Sequence, residues 1–166
     1  MNEITISAIL SIINLLNDNF SKLYNKYQNE LLKKLNISVS NDNIPYSPYD
    51  YYLNGHCASY SRILCNIFKE DSIKYYSEAH VITKIGNCYY DVAGLINPQD
   101  IKNYHIVDEM GYDYINTWFN NSDYIEKQIE QELINIGLNH INIGLNHINK
   151  QKDKKILTKS LPTHNK

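Results

Sequence analysis

Apolar residues return every three or four positions along the first 35 residues: Ile6, Ile9, Leu10, Ile13, Leu16, Phe20, Leu23, Tyr27, Leu31 and Leu35. That spacing predicts amphipathic helix with one face on a core. Asn17-Asp18-Asn19 interrupts the pattern with polar residues that compete with the helix backbone, so a break into two helices is expected there. The Ser/Asn/Pro-rich stretch 38–50 reads as a loop, with Pro45 and Pro48 holding extended backbone. Helical spacing resumes from Ala58 to Phe68, with Tyr60, Ile63, Leu64 and Ile67 on one side. Gly55 permits a tight turn ahead of this helix and puts Cys57 in its first turn.

Beyond it the period changes. Residues 73–76 suggest a short strand, and residues 80–92 predict a β-hairpin around Gly86-Asn87, where Gly in first place suits a type II′ turn. That turn pairs Ile85 with Cys88, Thr83 with Tyr90 and Ile82 with Asp91. His80, Ile82, Lys84, Tyr89 and Asp91 then share one face, and His80 is the diagonal neighbour of Asp91. Val81, Thr83, Ile85, Cys88, Tyr90 and Val92 form the more apolar face. Asp100 to Trp118 has no clear period. Ser122 is placed to cap a helix over 123–137, with Ile125, Ile129, Leu133 and Ile136 as its stripe.

One segment is repeated without change: Ile134-Asn-Ile-Gly-Leu-Asn-His140 is followed at once by Ile141 to His147. Two heptads containing Gly are too few and too weak for a coiled coil. The repeat reads as a duplication in the coding sequence rather than as a metal site built on His140 and His147.

Composition narrows the classes. A chain of 166 residues with 43% hydrophobic content has room for one modest core. Its 15 tyrosines, against three Phe and one Trp, fit a bias toward AT-rich codons. The net charge of −2 hides an asymmetry, because residues 150–166 hold six lysines and one aspartate, and the rest of the chain is acidic. The expectation is one compact domain over 1–149 and a basic, flexible tail over 150–166. A tail that touches nucleic acid or an anionic membrane is the sharper alternative, and the acidic body makes nucleic acid an unlikely main partner. Three cysteines cannot all pair, which favours reduced thiols. No signal peptide or membrane span is evident, so a soluble cytoplasmic chain is expected.

The chemistry concentrates between Gly55 and Gly94. A thiol, an imidazole and a carboxylate occur there in the order Cys57, His80, Asp91, and such a set can form a thiolate nucleophile, its base and the base's orienter. The start of a helix favours the thiolate at Cys57 and offers its N–H groups to an oxyanion. Asn54 and Tyr51 are the candidates for a second oxyanion donor. Tyr46, Tyr49, Tyr51 and Tyr52 are candidates for lining a substrate groove, or for ordinary packing. Cys65 and Cys88 read as core thiols, and His56 is expected to point away from the nucleophile. Zinc on Cys57, His80, Cys88 and His56 is the rival use of these residues, but Cys88 belongs to the far hairpin face.

The Gly55-His56-Cys57 helix start, followed by a hairpin with His80-Val81 and Tyr89-Tyr90-Asp91-Val92-Ala93-Gly94, resembles the papain-like and transglutaminase-like cysteine enzymes. It most resembles small phage and bacterial proteins built around a G-x-C helix and an H-V…Y-Y-D-x-x-G hairpin. The resemblance implies Cys57 as nucleophile, His80 as base and Asp91 as orienting acid on a papain/transglutaminase-like core. The 23 residues from Cys57 to His80 are a short separation even for a transglutaminase-like core. The fold expected is α+β: N-terminal helices and the Cys57 helix packed on a small antiparallel sheet. The function expected is thiol-dependent acyl transfer on a protein, peptide or small amide, with no cofactor or metal implied. A non-catalytic binding or inhibitor protein on the same scaffold is the alternative.

Overall fold

The computed structural model describes residues 5–37, 47–107 and 124–159, and the side chains of the last stretch as far as Gly144. The fold is α+β, as expected. Helix α1 (Ile6–Lys34) leads to a short α2 (Pro48–Leu53) and to α3 (Cys57–Phe68). Strands β1 (Ser72–Tyr76), β2 (Val81–Ile85), β3 (Cys88–Asp91), β4 (Gly94–Ile96) and β5 (His105–Ile106) follow, and α4 (Tyr124–Lys159) closes the order. The strands form one antiparallel sheet in the order β4-β3-β2-β1-β5.

α1 is one helix, not two. Asn17 is buried and spends its amide on partners outside the helix, donating to the Val92 carbonyl at 2.9 Å and accepting from the Tyr60 hydroxyl at 3.2 Å. Asn19 bonds the Leu15 carbonyl one turn back at 2.7 Å. Asn17 is thus drawn away from the local backbone, and Asn19 bonds a carbonyl within the helix without opening it, so the propensity penalty does not become a break. The apolar stripe buries Ile9, Ile13, Leu16, Phe20 and Tyr27 as expected and adds Ile12, while Ile6 and Leu35 at the ends are exposed.

The loop expected over 38–50 is corrected at its end. Ser47 is the N-cap of α2 and Pro48 its first residue, where the missing N–H costs nothing and the fixed φ suits a helix. Pro45, Tyr46 and the rest of 38–46 lie outside the described residues.

The hairpin has the expected register, Ile85 opposite Cys88 and Thr83 opposite Tyr90. Gly86 turns it with φ +59, the sign a type II′ turn needs at that position. β1 covers the expected 73–76 strand, and β4 and β5 are additions. The Ser122 cap and residues 108–118 lie outside the described residues.

α3 lies on the sheet and against α4, and α1 packs on α4. Tyr60, Ile63, Leu64 and Ile67 from α3 meet Ile9, Ile13, Leu16 and Phe20 from α1 and Ile125, Ile129 and Leu133 from α4 in the main core. Ser61 and Thr83 hydrogen-bond side chain to side chain at 2.8 Å, both buried, and fix the height of α3 over β2. α4 does not stop at Gly137, as expected from the sequence, but runs through both copies of the repeat. Packing against Ile67 carries it past Gly137. The helical backbone reaches Lys159, inside the stretch expected to be a flexible tail, and residues 160–166 lie outside the described residues.

Candidate active site

Gly55 sets the approach to the site. It sits between α2 and α3 at φ +117, a conformation that a residue with a Cβ rarely adopts. His56 is then the N-cap of α3, and Cys57 opens the helix. Cys57 is only 4% exposed, and it forms a small buried cluster with Ala58 and Val81 that Tyr76 and Val107 flank. Its sulfur takes backbone hydrogen bonds from Ala58 and Val81 and a side-chain hydrogen bond with His80.

His80 comes one residue before the first paired residue of β2. The Ser77 N–H donates to the His80 carbonyl at 2.9 Å, which closes the turn from β1 and holds the His80 backbone. Its Nε2 lies 3.1 Å from Asp91 Oδ2. With Nε2 on the carboxylate, Nδ1 is the nitrogen left for the sulfur. Asp91 ends β3, and its other oxygen accepts the Ala93 N–H at 2.8 Å. One oxygen is thus tied to the local turn while the other meets the ring.

The protonation balance follows from these contacts. Burial pushes the Cys57 thiol up, but the His80 hydrogen bond, the two backbone N–H groups and the charge of the ring outweigh it, so the thiol lies below its ordinary value. Burial alone would lower His80. The bonds to Asp91 and Cys57 outweigh that as well and raise the ring to about 9. Both shifts favour thiolate and imidazolium side by side.

Two residues that support the site carry no signal in the sequence. Asn17 holds the carbonyl of Val92, the neighbour of Asp91, and the hydroxyl of Tyr60. Burial and then the Asp91 charge hold that hydroxyl far above the ordinary tyrosine range. Glu126 of α4 is buried and accepts from Ser59 and, at 3.1 Å, bonds His56 Nδ1. Burial alone would raise this carboxyl, but the bonds to His56 and Ser59 hold it below its ordinary value. Glu126 therefore clasps the first turn of α3 from outside.

The remaining candidates fall elsewhere. His56 turns toward Glu126, and its ring stacks on Tyr51 with centroids 4.0 Å apart. Asn54 donates an N–H to the Asp50 carbonyl at 2.8 Å, capping α2. Tyr51 and Tyr52 pack on Phe20 at 5.1 and 5.0 Å, so they are core aromatics rather than the walls of a groove, and Tyr49 is exposed. Cys88 packs on the main core, away from the Cys57 cluster. Cys65 is partly buried, and burial raises its thiol. The four residues of the zinc reading are thus not gathered, and among the described residues no cluster of three or more His, Cys, Asp or Glu is placed to hold a metal. No described helix is long and apolar enough to cross a membrane.

An open cleft of about 690 Å³ has Tyr76, Ser77, Glu78 and Ala79 along one wall. Lys102, Asn103 and His105 form the other. Tyr76 belongs both to this cleft and to the surroundings of Cys57, and Ala79 directly precedes His80.

Residues 31–135 match the family model described as Phage YunG-like protein, a span that contains Cys57, His80 and Asp91. No curated protein and no solved structure matches the chain.

Proposed function

The chain belongs to the phage YunG-like family, and we propose that it is a thiol-dependent acyl-transfer enzyme acting on peptide, isopeptide or other amide bonds. One observation carries this reading: His80 bonds Asp91 at 3.1 Å and the buried Cys57 thiol at once. In the reaction, the Cys57 thiolate attacks the carbonyl carbon, and negative charge moves to the carbonyl oxygen. The backbone N–H of Cys57, at the start of α3, is the donor that would meet that oxygen, since the Ser59 and Tyr60 N–H groups bond the His56 carbonyl. Collapse of the intermediate breaks the bond to the leaving amine, which takes its proton from the His80 imidazolium, and a thioester remains on Cys57. Neutral His80 then removes a proton from water or an acceptor amine as it attacks the thioester. The acid or new amide departs, and the proton left on the ring restores the ion pair. Asp91 holds the ring in the orientation that both steps need. All three cysteines are free, and this chemistry requires Cys57 reduced, so we place the protein in a reducing, cytoplasm-like compartment.

The test is alkylation by iodoacetamide between pH 5 and 9 with the adduct located by mass spectrometry and, on a separate unalkylated sample, exposure to p-nitrophenyl acetate. The enzyme reading expects Cys57 to be labelled first, already at pH 6, and to carry the acetyl group. Both signals should be lost in His80→Ala. Slow labelling that follows an ordinary thiol pKa of roughly 8.5, with no acetyl-Cys57, would leave a non-catalytic binding protein on this scaffold.

A further inference from the structure

We infer that the cleft between the β1–β2 turn and residues 102–105 is the acyl-donor site, and that it takes an extended polypeptide bearing side chains of opposite charge. This rests on the enzyme reading above and gives it a substrate class. The cleft adjoins the surroundings of the nucleophile, because Tyr76 forms part of its wall and also flanks the Cys57 cluster. Its volume of about 690 Å³ lies within the ~300 to 1,000 Å³ typical of ligand sites.

The two walls differ in charge. Glu78 stands on the hairpin wall and Lys102 on the opposite one, and both are exposed. A polyanion such as nucleic acid would meet Glu78, and a polycation would meet Lys102. A polypeptide with an acidic and a basic side chain satisfies both. The Asn103 amide supplies a donor and an acceptor of the kind a peptide unit needs. Tyr76 and His105, with ring centroids 6.1 Å apart, give an aromatic seat for an apolar side chain.

The experiment compares second-order rates of Cys57 modification by iodoacetamide, which needs no cleft, with those by tripeptidyl chloromethyl ketones bearing an acidic, a basic or a neutral residue. It uses the full chain and the exposed-site variants Lys102→Glu and Glu78→Lys. Lys102→Glu should slow the acidic probe by about tenfold, Glu78→Lys should slow the basic probe similarly, and iodoacetamide should stay within about twofold in both. Peptidyl rates that ignore both substitutions, or that move only in step with iodoacetamide, overturn the inference while leaving a reactive Cys57 in place. Sluggish iodoacetamide labelling of the unaltered chain overturns the enzyme reading, and this inference with it.

Discussion

Asn17 donates a 2.9 Å hydrogen bond to the backbone carbonyl of Val92, one residue past Asp91. The same side chain accepts from Tyr60 at 3.2 Å, so a single buried amide joins α1, α3 and the turn that carries the carboxylate. Asn17→Ala leaves a buried carbonyl and a buried hydroxyl without that partner, which should cost about 2 kcal/mol of stability. The turn also loses its anchor, so Cys57 labelling at pH 6 should slow even where the variant remains folded. Urea unfolding and alkylation rates on one sample read both effects. An unchanged unfolding midpoint would show that Asn17 is not the tie between these elements.

Asn17 also shows where the sequence was legible and where it was not. The hairpin is legible because Gly86-Asn87 and the alternation around it are local signals, and its register places His80 beside Asp91. Cys57 at the start of a helix was legible for the same reason, from Gly55 and the spacing that follows it. Asn17-Asp18-Asn19 was misread because weak local propensity was weighed without the distant partners that use the amides. Pro48 was misread because a proline outside a helix and one at its first position look alike without the cap. β4 and β5 are too short for alternation to register. Glu126 lies on the polar side of the α4 pattern, and only the packing of α3 on α4 buries it. The cleft was invisible because its walls come from a tight turn and from a segment without periodicity.

His80 and Cys57 give the site a pH dependence whose two parts oppose each other. The His80 pKa is raised to about 9, so its contribution to stability is complete below its unfolded value of about 6.5 and disappears as pH rises toward 9. The Cys57 thiol is lowered, so its contribution is present above the unfolded thiol pKa and is lost as pH falls through the folded one. In the unaltered chain the proton passes from thiol to ring, and the two trends offset each other. Cys57→Ser removes the second trend and keeps the bond from His80 to Asp91. Its stability advantage over the double variant Cys57→Ser/His80→Ala should therefore shrink as pH rises above about 6.5, over a window that closes below 9 because Cys57 supplies part of the rise. Urea midpoints at five pH values across that window are sufficient. An advantage that grows with pH would mean that the ring is not held protonated by Asp91.

The repeated heptads of α4 are identical in sequence and different in surroundings. A Cβ placed on Gly137 would collide with Ile67 Cδ1 and lie 3.0 Å from its Cγ1, whereas at Gly144 nothing stands within 4 Å. Ile67 is 4% exposed and has little freedom to move aside. Gly137 is thus a point of close approach between α3 and α4. Ile136 in the first copy packs on the core, whereas its counterpart Ile143 in the second copy is 58% exposed. Gly144→Ala should stabilise the protein by up to about 1 kcal/mol through helix propensity alone. Gly137→Ala should destabilise it by roughly 1 to 3 kcal/mol despite the same propensity gain, because the added methyl overpacks the crossing. Ile67→Val removes the clashing Cδ1, so Gly137→Ala should cost measurably less in that background, a coupling that a double-mutant cycle by thermal unfolding reads directly. Equal effects of alanine at the two glycines would place the crossing of α3 and α4 elsewhere.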